Sequence, residues 1–102
     1  MAQVIWTEPA LDDLNKIAEY IALDKPGAAK KLVREVFTKV VRLEQFPGYG
    51  RKPPELDKTR YREVVVPPCR IFYRIKDERV FVLYVMRSER QLRKVVLEAR
   101  SQ

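Results

Sequence analysis

The sequence has no histidine, one cysteine and three glycines in 102 residues. The missing histidine excludes His-based acid–base chemistry, His-containing catalytic triads and His-ligated metal centres. Cys69 alone makes neither an internal disulfide nor a thiolate cluster. The glycines form no phosphate-binding loop or dinucleotide fingerprint, and no zinc-finger spacing is present. Neither a metal nor a cofactor is therefore predicted. No apolar run reaches the length of a membrane span, so no membrane association is expected. The N-terminus lacks a basic region followed by a continuous apolar stretch, which predicts no signal peptide and a reducing, cytoplasmic setting.

Cationic charge is abundant. Lysine and arginine number 21 against 14 acidic residues, a net charge of +7. Residues 1–50 hold seven of each sign, whereas residues 51–102 hold fourteen basic and seven acidic side chains. The whole excess lies in the second half, and ten of those fourteen are arginines. Such asymmetry predicts an anionic partner: nucleic acid, an acidic protein or a membrane surface. Arginine favours planar, bidentate recognition of carboxylate and phosphate. At 12.1 kDa and 46% hydrophobic residues, the chain is long enough for one core, and residues 1–102 are read as a single domain.

The pattern along the chain changes period. Gln3–Trp6 is a short extended segment. Thr7 is placed to cap a helix with Pro9 in its first turn, and Ala10, Leu11, Leu14, Ile17, Ala18 and Ile21 recur at helical spacing. Asp24-Lys25-Pro26-Gly27 breaks that helix and starts another, capped at Asp24 or Lys25, with an apolar stripe of Ala29, Leu32, Val33, Val36, Val40 and Leu43. So short a break forces an antiparallel hairpin of helices. An irregular stretch follows from Phe46 to about Lys58. Tyr61–Val66, Cys69–Lys76 and Val80–Met86 then read as strands, joined through Pro67-Pro68 and Asp77-Glu78. The nearly all-apolar third strand belongs in the middle of a sheet. Leu92, Val95 and Val96 predict a short closing helix. The expected fold class is α+β: an N-terminal helical hairpin packed on a small, curved, mainly antiparallel sheet.

Alternation in Cys69–Lys76 puts Ile71, Tyr73 and Ile75 under the helices and Arg70, Phe72, Arg74 and Lys76 on the other face. That predicts an open, arginine-rich sheet surface with one aromatic residue. It suits phosphates or a carboxylate-rich segment. Arg60, Arg62 and Arg87 come from neighbouring strand ends. Arg90, Arg93 and Lys94 are expected to share a face of the closing helix. Tyr61, Tyr73 and Tyr84 read as packing residues, as does Cys69, although its basic neighbours would favour a thiolate. Glu63 and Glu89 are suited to local pairing with arginine.

Several segments carry a family likeness. These are Trp6-Thr7-Glu8-Pro9-Ala10, Ile17-Ala18-Glu19-Tyr20-Ile21, Leu43-Glu44-Gln45-Phe46-Pro47-Gly48-Tyr49-Gly50-Arg51, Tyr61-Arg62-Glu63-Val64, Arg70-Ile71-Phe72-Tyr73-Arg74-Ile75 and Val82-Leu83-Tyr84-Val85-Met86-Arg87. In this order and spacing the chain resembles the RelE/ParE superfamily of type II toxin–antitoxin toxins. The resemblance implies a toxin neutralised by a cognate antitoxin with an acidic C-terminal segment. It also implies contact with operator DNA through the antitoxin complex.

Two activities are implied. A ParE-like toxin inhibits DNA gyrase and is no nuclease. A RelE-like toxin is an endoribonuclease that cuts messenger RNA on the ribosome. Arg70 matches the arginine that RelE-like nucleases place at the scissile phosphate, and Arg87 stands where many relatives have histidine, followed by the matching Arg90. No tyrosine follows Tyr84 to supply the C-terminal tyrosine of RelE, and Lys52 and Lys58 only lie near the region of the nuclease lysines. The long helical hairpin looks more like ParE. The residues assigned to target binding on this basis are Arg60, Arg70, Arg87, Arg90 and Arg93. Those assigned to antitoxin binding are Arg62, Arg70, Phe72, Arg74 and Arg87. The nuclease alternative would rest on Arg70 and Arg87, which would stabilise charge on the phosphoryl oxygens.

Overall fold

The computed structural model describes residues Met1–Ser101; Gln102 lies outside the described residues. The elements are β1 (Gln3–Trp6), α1 (Glu8–Ala22), α2 (Pro26–Val41), β2 (Tyr61–Val66), β3 (Cys69–Lys76), β4 (Arg79–Arg87) and α3 (Lys94–Arg100). One four-stranded sheet has the order β1-β4-β3-β2. β2, β3 and β4 form an antiparallel meander, and β1 joins the far side of β4 in parallel. β4 is central, as its lack of polar residues predicts.

Thr7 joins β1 to α1. Its hydroxyl accepts from Ala10 N at 3.4 Å and donates to the Val82 carbonyl at 2.6 Å. The cap therefore also fixes the helix to the sheet. The second helix starts at Lys25, whose side chain makes no cap; Pro26 supplies a fixed φ instead. The helices cover one face of the sheet. There Ala10, Leu14, Leu32, Val36, Val40 and Leu43 pack on Val64, Val66, Cys69, Ile71, Tyr73, Val80, Val82 and Val85. Trp6 is half-buried against this core, with its ring 4.9 Å from that of Phe37.

The opposite face is not the open surface the alternation predicts. Phe72 has no exposed area, and it joins Tyr61, Leu83, Met86, Leu92 and Leu97 in a second core roofed by α3. The face carries too many large apolar groups to stay in water. A bulge on β4 enlarges this layer. Phe72 pairs with Tyr84 but Tyr73 pairs with Val82, so Leu83 is an extra residue and both Leu83 and Tyr84 reach the second core.

Three smaller expectations are corrected. Ile75 is 42% exposed, because β2 ends opposite Arg74 and leaves Ile75 without a strand on that side. Val95 faces solvent, whereas Leu97 fills the second core. Arg90 and Arg93 precede α3 and share no helical face with Lys94.

The irregular segment between α2 and β2 is tied down at specific points. Arg51 and Glu63 exchange backbone hydrogen bonds of 3.0 and 2.8 Å, adding a bridge to the edge of β2. Lys39 caps the edge carbonyl of Val65 at 2.9 Å. Gly50 N donates to Tyr73 Oη at 2.9 Å, and that hydroxyl donates to the Pro47 carbonyl at 2.7 Å.

Candidate functional site

Arg70 lies at the start of β3, directed into the second core. Its Nε donates to Glu63 Oε1 at 2.5 Å, and its Nη1 and Nη2 donate to the two oxygens of Glu55 at 2.6 and 2.7 Å. The Phe72 ring lies 5.0 Å from the guanidinium carbon. Glu63 is completely buried, and its other oxygen accepts from Arg51 Nε at 2.8 Å. Two guanidiniums and two carboxylates thus alternate and cancel. The Glu55 contact, with the burial-opposed help of Glu63, holds Arg70 even more firmly in its charged form than usual. In return Arg70 lowers the Glu55 carboxyl below its ordinary range.

The remaining arginines divide by what they touch. Arg62 Nη1 donates to the Gly50 carbonyl at 2.8 Å and holds the segment before β2. Arg74 donates to the Ser101 carbonyl at 2.8 Å. Arg60 reaches the Ser101 hydroxyl at 3.2 Å and lies 5.4 Å from the Tyr61 ring centre. Tyr61 Oη shares a 3.0 Å hydrogen bond with the same hydroxyl. These three residues fasten the end of α3 to the sheet. Arg62 and Arg74 are thus fasteners rather than open grips, and Phe72 is buried; the free arginine-rich face expected from the alternation is not formed.

Arg87 belongs elsewhere. Its register partner is Cys69, which packs under the helices, whereas Arg70 and Phe72 point to the other side. Directly opposed residues share a face, so Arg70 and Arg87 are on opposite faces of the sheet. Arg87 Nε donates to Glu89 at 2.6 Å, and this pairing adds to the turn's own backbone hydrogen bond in lowering the Glu89 carboxyl. Arg87 lines a 760 Å³ groove between α1 and the end of β4, with Lys16, Tyr20, Tyr84 and Arg90. Arg90 and Arg93 are exposed, and their side chains have no ion pair or hydrogen bond among the described residues.

Asp13 closes one end of this groove. Its carboxylate accepts from Val85 N at 3.1 Å and from Arg100 Nη1 at 2.5 Å. Arg100 also donates to the Leu83 carbonyl at 3.1 Å and stacks over Tyr84 at 4.8 Å. β1 ends opposite Val82, so beyond it β4 has β3 on one side and no strand on the other. Asp13 and Arg100 satisfy the exposed backbone there and clasp the edge from both faces.

Sequence reading missed Glu55, Asp13 and Arg100. Glu55 sits in a segment with no period to place it. Asp13 reads as part of α1's solvent face, and Arg100 as one more basic terminal residue. Cys69 is a packing residue, as expected; burial pushes its thiol up to about 11 despite nearby Arg87. No group of three or more potential metal ligands occurs among the described residues. No helix is long and apolar enough to cross a membrane.

Comparison with known proteins accounts for the architecture. The family model described as the ParE toxin of the type II toxin–antitoxin system parDE matches residues 4–92. Toxin RelE2 of Caulobacter vibrioides is 37% identical over 91 residues, which is 88% of this chain and 99% of that protein. The toxin-named protein Y4kP of Sinorhizobium fredii is 36% identical over 89 residues, 87% of this chain and 91% of that protein. A solved structure of the chromosomal ParDE toxin–antitoxin system from P. aeruginosa superposes with a TM-score of 0.75 at 26% identity, covering 87% of this chain and 98% of that one. The α+β fold with its helical hairpin is thus the fold of that toxin, and the type II class implies a cognate antitoxin as partner. The chain belongs to the ParE toxin family of the RelE/ParE superfamily.

Proposed function

We propose that this toxin acts by binding DNA gyrase, stabilising its cleaved complex with DNA, and that it is not a nuclease. The observation that carries this reading is the separation of Arg70 from Arg87. A nuclease built on these two residues needs both at one phosphate. Here they leave the sheet in opposite directions, and the Arg70 fork is already filled by Glu55. Of the arginines assigned to target binding, Arg60, Arg90 and Arg93 are exposed and Arg87 is half-buried; Arg87 and Arg90 line the groove with Lys16 and Tyr20. We assign this surface to partner contact. Its charge favours an anionic partner and speeds encounter with one.

Supercoiling by purified gyrase, with parallel measurement of cleaved DNA, tests the proposal. Stoichiometric toxin is expected to block supercoiling and accumulate double-strand breaks. Reversing Arg90 and Arg93 to glutamate is expected to weaken both effects. Folded toxin without effect on gyrase refutes the reading. Toxin-dependent cuts mapped on ribosome-bound message would replace it with the nuclease.

A further inference from the structure

Arg70, Glu63 and Glu55 are unequal members of their cluster. The Arg70 side chain is 9% exposed and that of Glu63 is 0% exposed, whereas Glu55 is 41% exposed. Arg70 and Glu63 are fixed by the sheet. Glu55 sits on the irregular segment, which is anchored independently by the Arg51–Glu63 bridge and by Lys52 Nζ donating to the Thr59 carbonyl at 2.6 Å. The turn in which Leu56 N donates to Pro53 O, and the seating of Leu56 against the second core, hold the backbone on either side. Glu55 can therefore leave Arg70 by side-chain rotation alone.

Departure has an electrostatic consequence. With Glu55 in place, the charges of Arg51, Glu63, Arg70 and Glu55 cancel. Without it, a nearly buried guanidinium presents two unpaired Nη groups over the face of Phe72. Such a group needs an oxyanion. A second carboxylate restores both neutrality and the planar two-pronged geometry that Glu55 provides. A free or monoester phosphate dianion would leave an excess negative charge beside the buried Glu63, whereas a phosphodiester carries a single charge and is set against the carboxylate in the test below.

We infer that the Arg70 fork is a docking point for an acidic side chain of a polypeptide partner, and that Glu55 is its internal stand-in, holding the point shut in the free chain. This rests on the reading that the antitoxin contributes an acidic segment. Docking then exchanges one carboxylate for another, and Glu55 sets the affinity by competing. An acidic polypeptide is favoured over a nucleic acid because the present occupant is itself a polypeptide carboxylate, presented from a turn with the apolar Leu56 seated beside it.

The test compares the wild type with Glu55→Gln, which keeps the side-chain shape, and Glu98→Gln, which removes the same charge from an exposed site. The probes are a synthetic peptide of alternating glutamate and leucine and a single-stranded oligonucleotide, titrated calorimetrically at low salt. Urea unfolding confirms that each variant is folded. If Glu55 covers Arg70 for all but roughly a tenth of the time, Glu55→Gln binds the peptide about tenfold tighter than wild type. Glu98→Gln is expected to stay within about twofold of the wild type, as screened surface charge does. Equal peptide affinity of Glu55→Gln and wild type overturns the stand-in while leaving an acidic partner in place. Absence of peptide binding by any form overturns both. A larger gain for the oligonucleotide than for the peptide assigns the point to nucleic acid and overturns the inference.

Discussion

Gly50→Ala tests how the loop before β2 is held. Gly50 has φ −69° and ψ 154°, a backbone conformation open to any residue. Its glycine is required by space. An added Cβ would lie 2.6 Å from the Glu63 carbonyl oxygen and 2.6 Å from the Tyr73 hydroxyl. Neither neighbour is free to retreat. The carbonyl accepts from Arg51 N, and the hydroxyl is bound to Gly50 N and the Pro47 carbonyl on a ring with no exposed area. Overpacking of this kind costs about 1–3 kcal/mol. Loss of the Gly50–Tyr73 hydrogen bond adds about 0.5–1.5 kcal/mol. The expected destabilisation is therefore about 2–4 kcal/mol, or a fall in Tm of roughly 10–25 °C for a domain of this size. Urea unfolding measures the first and calorimetry the second. Gly48→Ala and Gly27→Ala are the controls, since an added Cβ meets nothing within 4 Å at either position. The reasoning fails if Gly50→Ala stays within about 0.5 kcal/mol of wild type, the range of ordinary surface substitutions.

The β3–β4 turn places Asp77 and Glu78 at φ 51° and 61°, a conformation that favours Asn-Gly. Replacing Asp77-Glu78 by Asn-Gly is expected to raise stability by about 0.5–1.5 kcal/mol in urea unfolding, and a loss of stability would contradict the strain assigned there. Cys69, with its thiol raised to about 11, is expected to resist a disulfide reagent at pH 8 in the folded chain and to react fully in urea; rapid native reaction would show it accessible. Because Arg70 lowers the folded-state Glu55 carboxyl below its ordinary 4.5, its contribution is complete above that value and is lost as pH falls through the lowered one. The stability gap between wild type and Glu55→Gln should therefore shrink from pH 7 to pH 3, and a gap that stays constant or widens would refute the pairing.

Periodic elements were legible in the amino-acid order. The stripes beginning at Ala10 and Ala29, and the alternation around Ile71 and Tyr73, define the hairpin, three strands and the covered face. The other face was misread because its arginines dominate a local count of charge. Phe72, Leu83, Met86 and Leu97 come from three separate segments, and their joint apolar area exists only after folding. The Leu83 bulge also breaks the alternation used to assign faces on β4. Arginines carry no mark of their partners in sequence. Arg62 and Arg74 bind carbonyls, Arg70 binds carboxylates, and Arg90 and Arg93 remain free, although all five look alike in composition. Glu55 was invisible because its neighbours follow no repeat, and only the seating of β3 brings Arg70 to it.

The parallel pairing of β1 with β4 has a temporal consequence. Residues 3–6 find their strand partner only at residues 79–82, and Thr7 and Asp13 wait for Val82 and Arg100. Contacts so distant along the chain form late and slow the search for the native state. During synthesis the N-terminal strand emerges first and is seated last. The helical hairpin can gather meanwhile, but the central strand and its clasp do not exist until residues 79–100 have been made. A toxin arranged in this way cannot close the sheet that carries Arg87 before residues 79–100 have been made.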